Sequence, residues 1–174
     1  MKIIEAMKRI KLNKEKVADL QAKIQANSAN LNHETPVYKD DPKGQIDSWL
    51  QTCTDLSQEN VKLLCQIQAT NLATKVSIEV EPGKATEKSI AAWVWRRREY
   101  APLDLKTWQA ISDRNLKEGY MPSTIAGQPP SEVKIVRHYD PKVRDQRVGM
   151  YRSEPTLIDS ALEIVNATTD LIEA

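Results

Sequence analysis

Apolar residues recur every seven positions at Ile3, Ile10, Val17, Ile24 and Leu31, with Ala6, Asn13, Leu20 and Asn27 three places after the first four. This is the a/d spacing of a heptad, and it predicts one long helix over 3–31. The stretch NHETPVYKDDPKG, residues 32–44, gathers Pro, Asp and Gly and ends that helix. A second stripe runs Ile46, Trp49, Cys53, Leu56, Asn60, Leu63, Ile67, Thr70 in alternating steps of three and four, the mark of another helix. Folding it back in the register where paired numbers sum to 73 joins Ile10 with Leu63, Val17 with Leu56, Leu20 with Cys53 and Asn13 with Asn60. A pair of asparagines inside such a seam weakens it while fixing its alignment. Residues 1–73 are therefore expected to form a long antiparallel helical hairpin, coiled-coil-like and on the order of 40 Å in length.

Residues 74–174 are expected to pack as one further domain. KVSIEVEPGK alternates Val76, Ile78 and Val80 with polar neighbours and ends in Pro-Gly, which predicts a strand over about 75–81 and a turn. Thr86 and Glu87 predict the start of a helix that carries Ile90, Trp93, Val94, Arg97 and Tyr100 toward Pro102, with Ile90, Trp93, Val94 and Tyr100 on its apolar face. A further short helix follows through Leu105, Trp108, Ile111 and Leu116, with Gly119 as its stop. Residues 119–131 are rich in Pro, Gly and Ser and read as an extended loop. EVKIVRHYD alternates again, so 132–139 is expected to pair with 75–81 as a small antiparallel β ribbon. Asp140-Pro141 opens a turn or short helix reaching Arg147. Pro155 begins a C-terminal amphipathic helix with a broad apolar face of Leu157, Ile158, Ala161, Leu162, Ile164, Val165, Thr168, Leu171 and Ile172. The fold class is mainly α.

Composition agrees with that class: phenylalanine is absent and glycine numbers five, which suits helices better than a sheet sandwich. With 25 basic and 24 acidic residues the net charge is +1, so nucleic-acid binding would have to be local. No segment approaches the roughly 18 uninterrupted apolar residues of a membrane span, and MKIIEAMKRIKLNKEK lacks the apolar run of a signal peptide. The expected location is the cytoplasm, or a virion if the chain is phage-encoded. Cys53 and Cys65 lie too far apart on one helix to bridge and are expected as buried thiols.

The catalytic inventory is thin. There is no nucleophile elbow, phosphate loop, dinucleotide fingerprint or His-Glu-x-x-His, and the two cysteines lack Cys-x-x-Cys spacing. No catalytic residue, cofactor or metal site is expected. His138, beside Arg137 and Asp140, reads as a locally bonded strand-edge histidine, and Asp40-Asp41 does not have the spacing of a calcium loop. Asn166-Ala-Thr matches a glycosylation acceptor but falls in the middle of a helix.

The strongest local anomaly is AAWVWRRREY, residues 91–100. At about 100° per residue a helix turns Trp93 inward and Trp95 outward, with Ala91, Ala92, Arg98 and Glu99 beside Trp95. Three readings compete for Trp95, Arg96, Arg97 and Arg98: a solvated face with Arg98 stacked on Trp95 and Arg96 paired to Glu99; a protein interface, where Trp and Arg are enriched; and a phosphate and base contact.

The hairpin ending in NLATKV, the later SEVKIVRHYD and the terminal VNATTDLIEA resemble the septicolysin-like family of small helical proteins of bacterial and phage genomes. The resemblance touches most of the chain and fails between Arg96 and Pro130 and around Met150 to Pro155. It implies a helical scaffold, not a toxin-like activity. The expected function is that of a noncatalytic structural or assembly protein, in a phage particle or another large assembly, through self-association and contacts with other structural proteins. A nucleic-acid-associated module using the Trp/Arg helix is the alternative, and a membrane-active protein a weaker one.

Overall fold

The computed structural model describes residues 1–38, 40–122 and 128–173. The chain is mainly helical. Helix α1 spans Ile3–Asn27, α2 Pro42–Ala73, α3 Ile90–Trp95, α4 Ala101–Ala110 and α5 Pro141–Thr168, with a π-helical turn, Arg96–Tyr100, joining α3 to α4. Strands β1, Lys75–Glu81, and β2, Lys84–Ser89, form one two-stranded sheet, while β3, Gly119–Met121, and β4, Ser131–Val133, form another.

Two compact units follow from the packing. The first comprises Met1–Val76, Ser89–Ala91 and Leu162–Ala174; the second comprises Ser77–Lys88 and Ala92–Ala161.

In the first unit α1 lies against α2. The heptad positions Ile3, Ala6, Ile10, Asn13 and Leu20 are buried on α1, as are Trp49, Leu63, Ile67 and Thr70 on α2, together with Ile90 and Leu162. The first helix stops at Asn27, so Leu31 stands exposed beyond it. Asp41 starts α2: its carboxylate accepts from the Gly44 amide at 2.8 Å, and Pro42 occupies the first turn, where no amide is needed. A Cβ at Gly44 would stand 1.9 Å from Asp41 Oδ2, so any other residue there would make the capping carboxylate move. Tyr38 packs edge-on against Trp49, ring centroids 5.3 Å apart. At the other end the Ile3 amide donates to the Thr169 carbonyl, the Lys2 ammonium to the Thr168 carbonyl and Asp170, and the Ile172 amide to the Thr70 hydroxyl.

Among the described residues of the second unit Ile78, Trp93, Ala101, Val148 and Ile158 are buried, and so is one acidic residue, Glu154. The π turn explains the order of the core. Its wider winding takes an extra residue, which brings Ala101 onto the stripe of Trp93 and rotates Tyr100 out to solvent. Tyr100 is thus not on the inner face where uniform α-helical spacing places it.

Four further expectations are corrected. Strand 75–81 pairs with 84–89, not with 132–139, because Pro82 and Gly83, the latter at φ +75°, make a tight turn that returns the chain at once. Residues 84–89 are therefore strand, and the helix begins at Ile90 rather than near Thr86. Of the loop expected over 119–131, Gly119–Met121 instead pairs with Ser131–Val133, and residues 123–127 lie outside the described residues. The helix expected to begin at Pro155 is the second half of α5, which runs through that proline; Ile158 and Leu162 are buried, while Leu157 and Ile164 are exposed, so the inward face is narrower than its composition implies.

Candidate interaction surfaces

The arginine run divides by partner. Arg96, at the head of the π turn, donates from Nε and Nη2 to the two oxygens of Glu154 at 2.7 and 2.8 Å, and from Nη1 to Asp104 at 2.6 Å. Glu154 is only 2% exposed, and this fork satisfies both of its oxygens. Its hydrogen bond outweighs the burial that would lower the Arg96 pKa, so with Asp104 it holds the guanidinium more firmly protonated than a free arginine. The ring of Tyr151 lies 5.5 Å from the same guanidinium. Arg97 pairs with Asp159. Arg98, exposed, makes no hydrogen bond or ion pair among the described residues. Arg96 and Arg97 are therefore braces between the π turn and α5, and Glu99 is not the partner of Arg96.

Trp93 and Trp95 separate as their phases require: the first is 1% exposed, the second 60%. Trp95 and the displaced Tyr100 line one surface pocket with Lys88, Ala92 and Arg96, and the Lys88 ammonium stands 4.9 Å from the Trp93 ring. Two of the carboxylates that hold Arg96 and Arg97, Glu154 and Asp159, had no local signal, since they lie 58 and 62 positions away, while Asp104 lies eight positions after Arg96.

The two seam asparagines meet. Asn13 Nδ2 donates to Asn60 Oδ1 at 3.0 Å and also to Glu59 at 2.9 Å, while Arg9 Nε reaches Glu59 at 3.1 Å. One flank of the hairpin is thus closed by charge. The other flank differs in kind. Four places after the seam positions of α2 lie Leu50, Ser57 and Leu64, interleaved with Thr54, Val61 and Gln68. Val61 is 61% exposed and Leu64 44%, and Leu50, Ser57 and Val61 line a groove with Val17, Gln21 and Cys53. Only Lys62 brings charge to that groove. Cys65, expected to be buried, stands exposed beside it. This second heptad was present in the sequence but was hidden by the stronger seam.

His138, expected at a strand edge, lies beyond β4, which ends at Val133, and its neighbours pair with other groups. Arg137 grips Asp113 with Nε and Nη2, and the Tyr139 hydroxyl donates to it at 2.7 Å. The arginine hydrogen bond, then the tyrosine, holds the Asp113 carboxyl below its usual range and raises both partners' pKa values. Asp140 caps α5 by accepting from the Lys142 amide at 2.8 Å, and His138 between them is exposed. Among the described residues no group of three His, Cys, Asp or Glu side chains is placed to hold a metal ion, and no helix is long and apolar enough to cross a membrane. In comparisons with protein-family models, curated proteins and solved structures, the chain matches none.

Proposed function

We propose that this chain is a noncatalytic structural or assembly protein that works through helix-mediated contacts with further copies of itself and with other structural proteins, in a phage particle or another large assembly. The observation that carries this reading is the charge-poor flank of the hairpin, where Leu50, Val61 and Leu64 stand exposed beside an already filled seam. Depletion of charge around exposed leucine and valine is the composition of an interface centre. A helix that serves only its own seam gains nothing from a second apolar row.

The nucleic-acid reading of Trp95 to Arg98 draws less support. Carboxylates neutralise two of the three arginines, leaving Arg98 and the Trp95 ring. Light scattering over a range of concentrations tests the proposal, with a mass above that of one chain expected. A monomer at the highest concentration, with no partner co-purifying, overturns it.

A further inference from the structure

Resting on that assembly reading, we infer that the end of the hairpin is a binding cleft for an extended peptide, filled here by the chain's own residues 169–172, and that copies join by exchanging this strap. Helix α5 ends at Thr168, and beyond it Asp170 forms an antiparallel bridge with Lys2. The Thr169 carbonyl accepts from the Ile3 amide at 3.1 Å, the Leu171 amide donates to the Met1 carbonyl at 2.8 Å, and the Ile172 amide donates to the Thr70 hydroxyl at 2.9 Å. Between them the Asp170 carboxylate accepts from the Lys2 ammonium at 2.6 Å.

The cleft belongs to the core of its unit, while the strap lies at the surface. Ile3 and Thr70 are buried, whereas Asp170 and Ile172 stand exposed. Lifting the strap leaves an amide on Ile3, a carbonyl on Met1 and the acceptor side of a hydroxyl that already donates to the Gln66 carbonyl. Buried polar groups of this kind have to be paired. An extended peptide supplies the backbone partners in order, as in the addition of a strand to an open edge. A carboxylate at the second place, opposite Lys2, narrows the choice, and the Thr-Asp-Leu-Ile of a second copy meets every demand. Exchange therefore makes the same bonds that it breaks.

What differs between the two arrangements is the tether. Within one chain the strap meets its cleft at the effective concentration of a short linker, of millimolar order. Exchange is therefore scarce in dilute solution and rises as copies are crowded, which is the condition inside an assembly. Four extended residues reach about 13–14 Å, so an exchange that moves only 169–172 brings two hairpin ends within that distance. The exchange is reciprocal, with both straps crossing about one two-fold axis.

The bridge supplies the test. Lys2 and Asp170 are flanked by the two backbone bonds rather than joined by them, and in such a pair the Cα atoms stand about 4.5 Å apart, within reach of a disulfide. The background is the full chain with Cys53→Ala and Cys65→Ser, which has no other thiol. Lys2→Cys and Asp170→Cys placed together in one dilute chain are expected to form an intrachain disulfide in a glutathione redox buffer. Lys2→Cys in one chain, mixed at rising concentration with Asp170→Cys in a chain of different mass, is expected to give a mixed disulfide dimer. Its yield should exceed by at least tenfold that of Lys16→Cys with Asp170→Cys, where the first thiol is exposed about 20 Å along α1 from the bridge. A mixed dimer no more abundant than this control overturns the exchange, and absence of the intrachain bond overturns the cleft's register with it; oligomers of the parent by light scattering then leave the assembly reading standing. If the parent is a monomer at every concentration the exchange falls, and with no partner co-purifying the assembly reading falls too.

Discussion

Arg96 holds both carboxylate oxygens of Glu154, 58 positions away in sequence, with two nitrogens of one guanidinium. The pair ties the π turn to α5 at the only buried acidic position among the described residues of its unit. Removing Arg96 leaves Glu154 buried without a counter-charge, whereas removing Glu154 leaves Arg96 still paired with Asp104. Arg96→Ala should destabilise the fold by about 3 kcal/mol, read from the urea midpoint. Asp104→Asn, at the more exposed end of the same guanidinium, should cost about 1 kcal/mol. An equal loss from both substitutions would contradict this division.

The seam asparagines predict a non-additive pair. Asn13→Leu strands the Asn60 carbonyl and removes a donor from Glu59, which should cost about 1–2 kcal/mol. Adding Asn60→Leu should recover most of that loss while relaxing the fixed alignment of α1 on α2. A double-mutant cycle in denaturant measures the coupling, and simple additivity would count against an asparagine contact.

Trp93 and Trp95 should behave as opposites. Trp93→Ala empties a buried site and should cost about 3–5 kcal/mol. Trp95→Ala should change stability by under about 0.5 kcal/mol. Acrylamide should quench Trp95 well before Trp93, which single-tryptophan variants would resolve. A protected Trp95 in the isolated chain would be the contrary result.

Acid should loosen two clusters in the same direction. Asp113 is held below its usual value by Arg137 and then Tyr139, and Asp170 by Lys2. A carboxyl depressed in the folded state binds its proton more readily when unfolded. Its contribution is therefore present above the ordinary value of 3.8 and is lost as pH falls through the lower folded one. Melting temperature should drop between about pH 5 and pH 2, less steeply in Asp113→Asn and Asp170→Asn. An unchanged slope in the double variant would refute the assignment.

How far the sequence was legible depended on the range of the interactions. The seam was readable because a heptad repeats one demand many times, and Asn13 and Asn60 stood out as polar residues in apolar places. The β1–β2 turn was half readable: Pro82-Gly83 marked the reversal, but Thr86 and Glu87 suit a helix start as well as a strand, and pairing with β1 decided between them. The π turn was not readable, since one inserted residue leaves each local spacing acceptable and shows only when Ala101 rather than Tyr100 is buried. Pro155 misled because its local preference for a helix start is real, while the anchoring of Glu154 and the burial of Ile158 and Leu162 hold α5 continuous through it.

The bonds from Thr169 to Ile3, from Lys2 to Asp170 and from Ile172 to Thr70 have a consequence in the order of synthesis. A ribosome releases residues 3 and 70 long before 168–172. The hairpin is therefore born with one end unfinished: the first amide of α1 stays in water, and the Thr70 hydroxyl lacks the donor it finally accepts. Until translation reaches residues 168–172 the two helices can pair but cannot be latched, so the hairpin receives its closing piece 102 positions after Thr70 has been made.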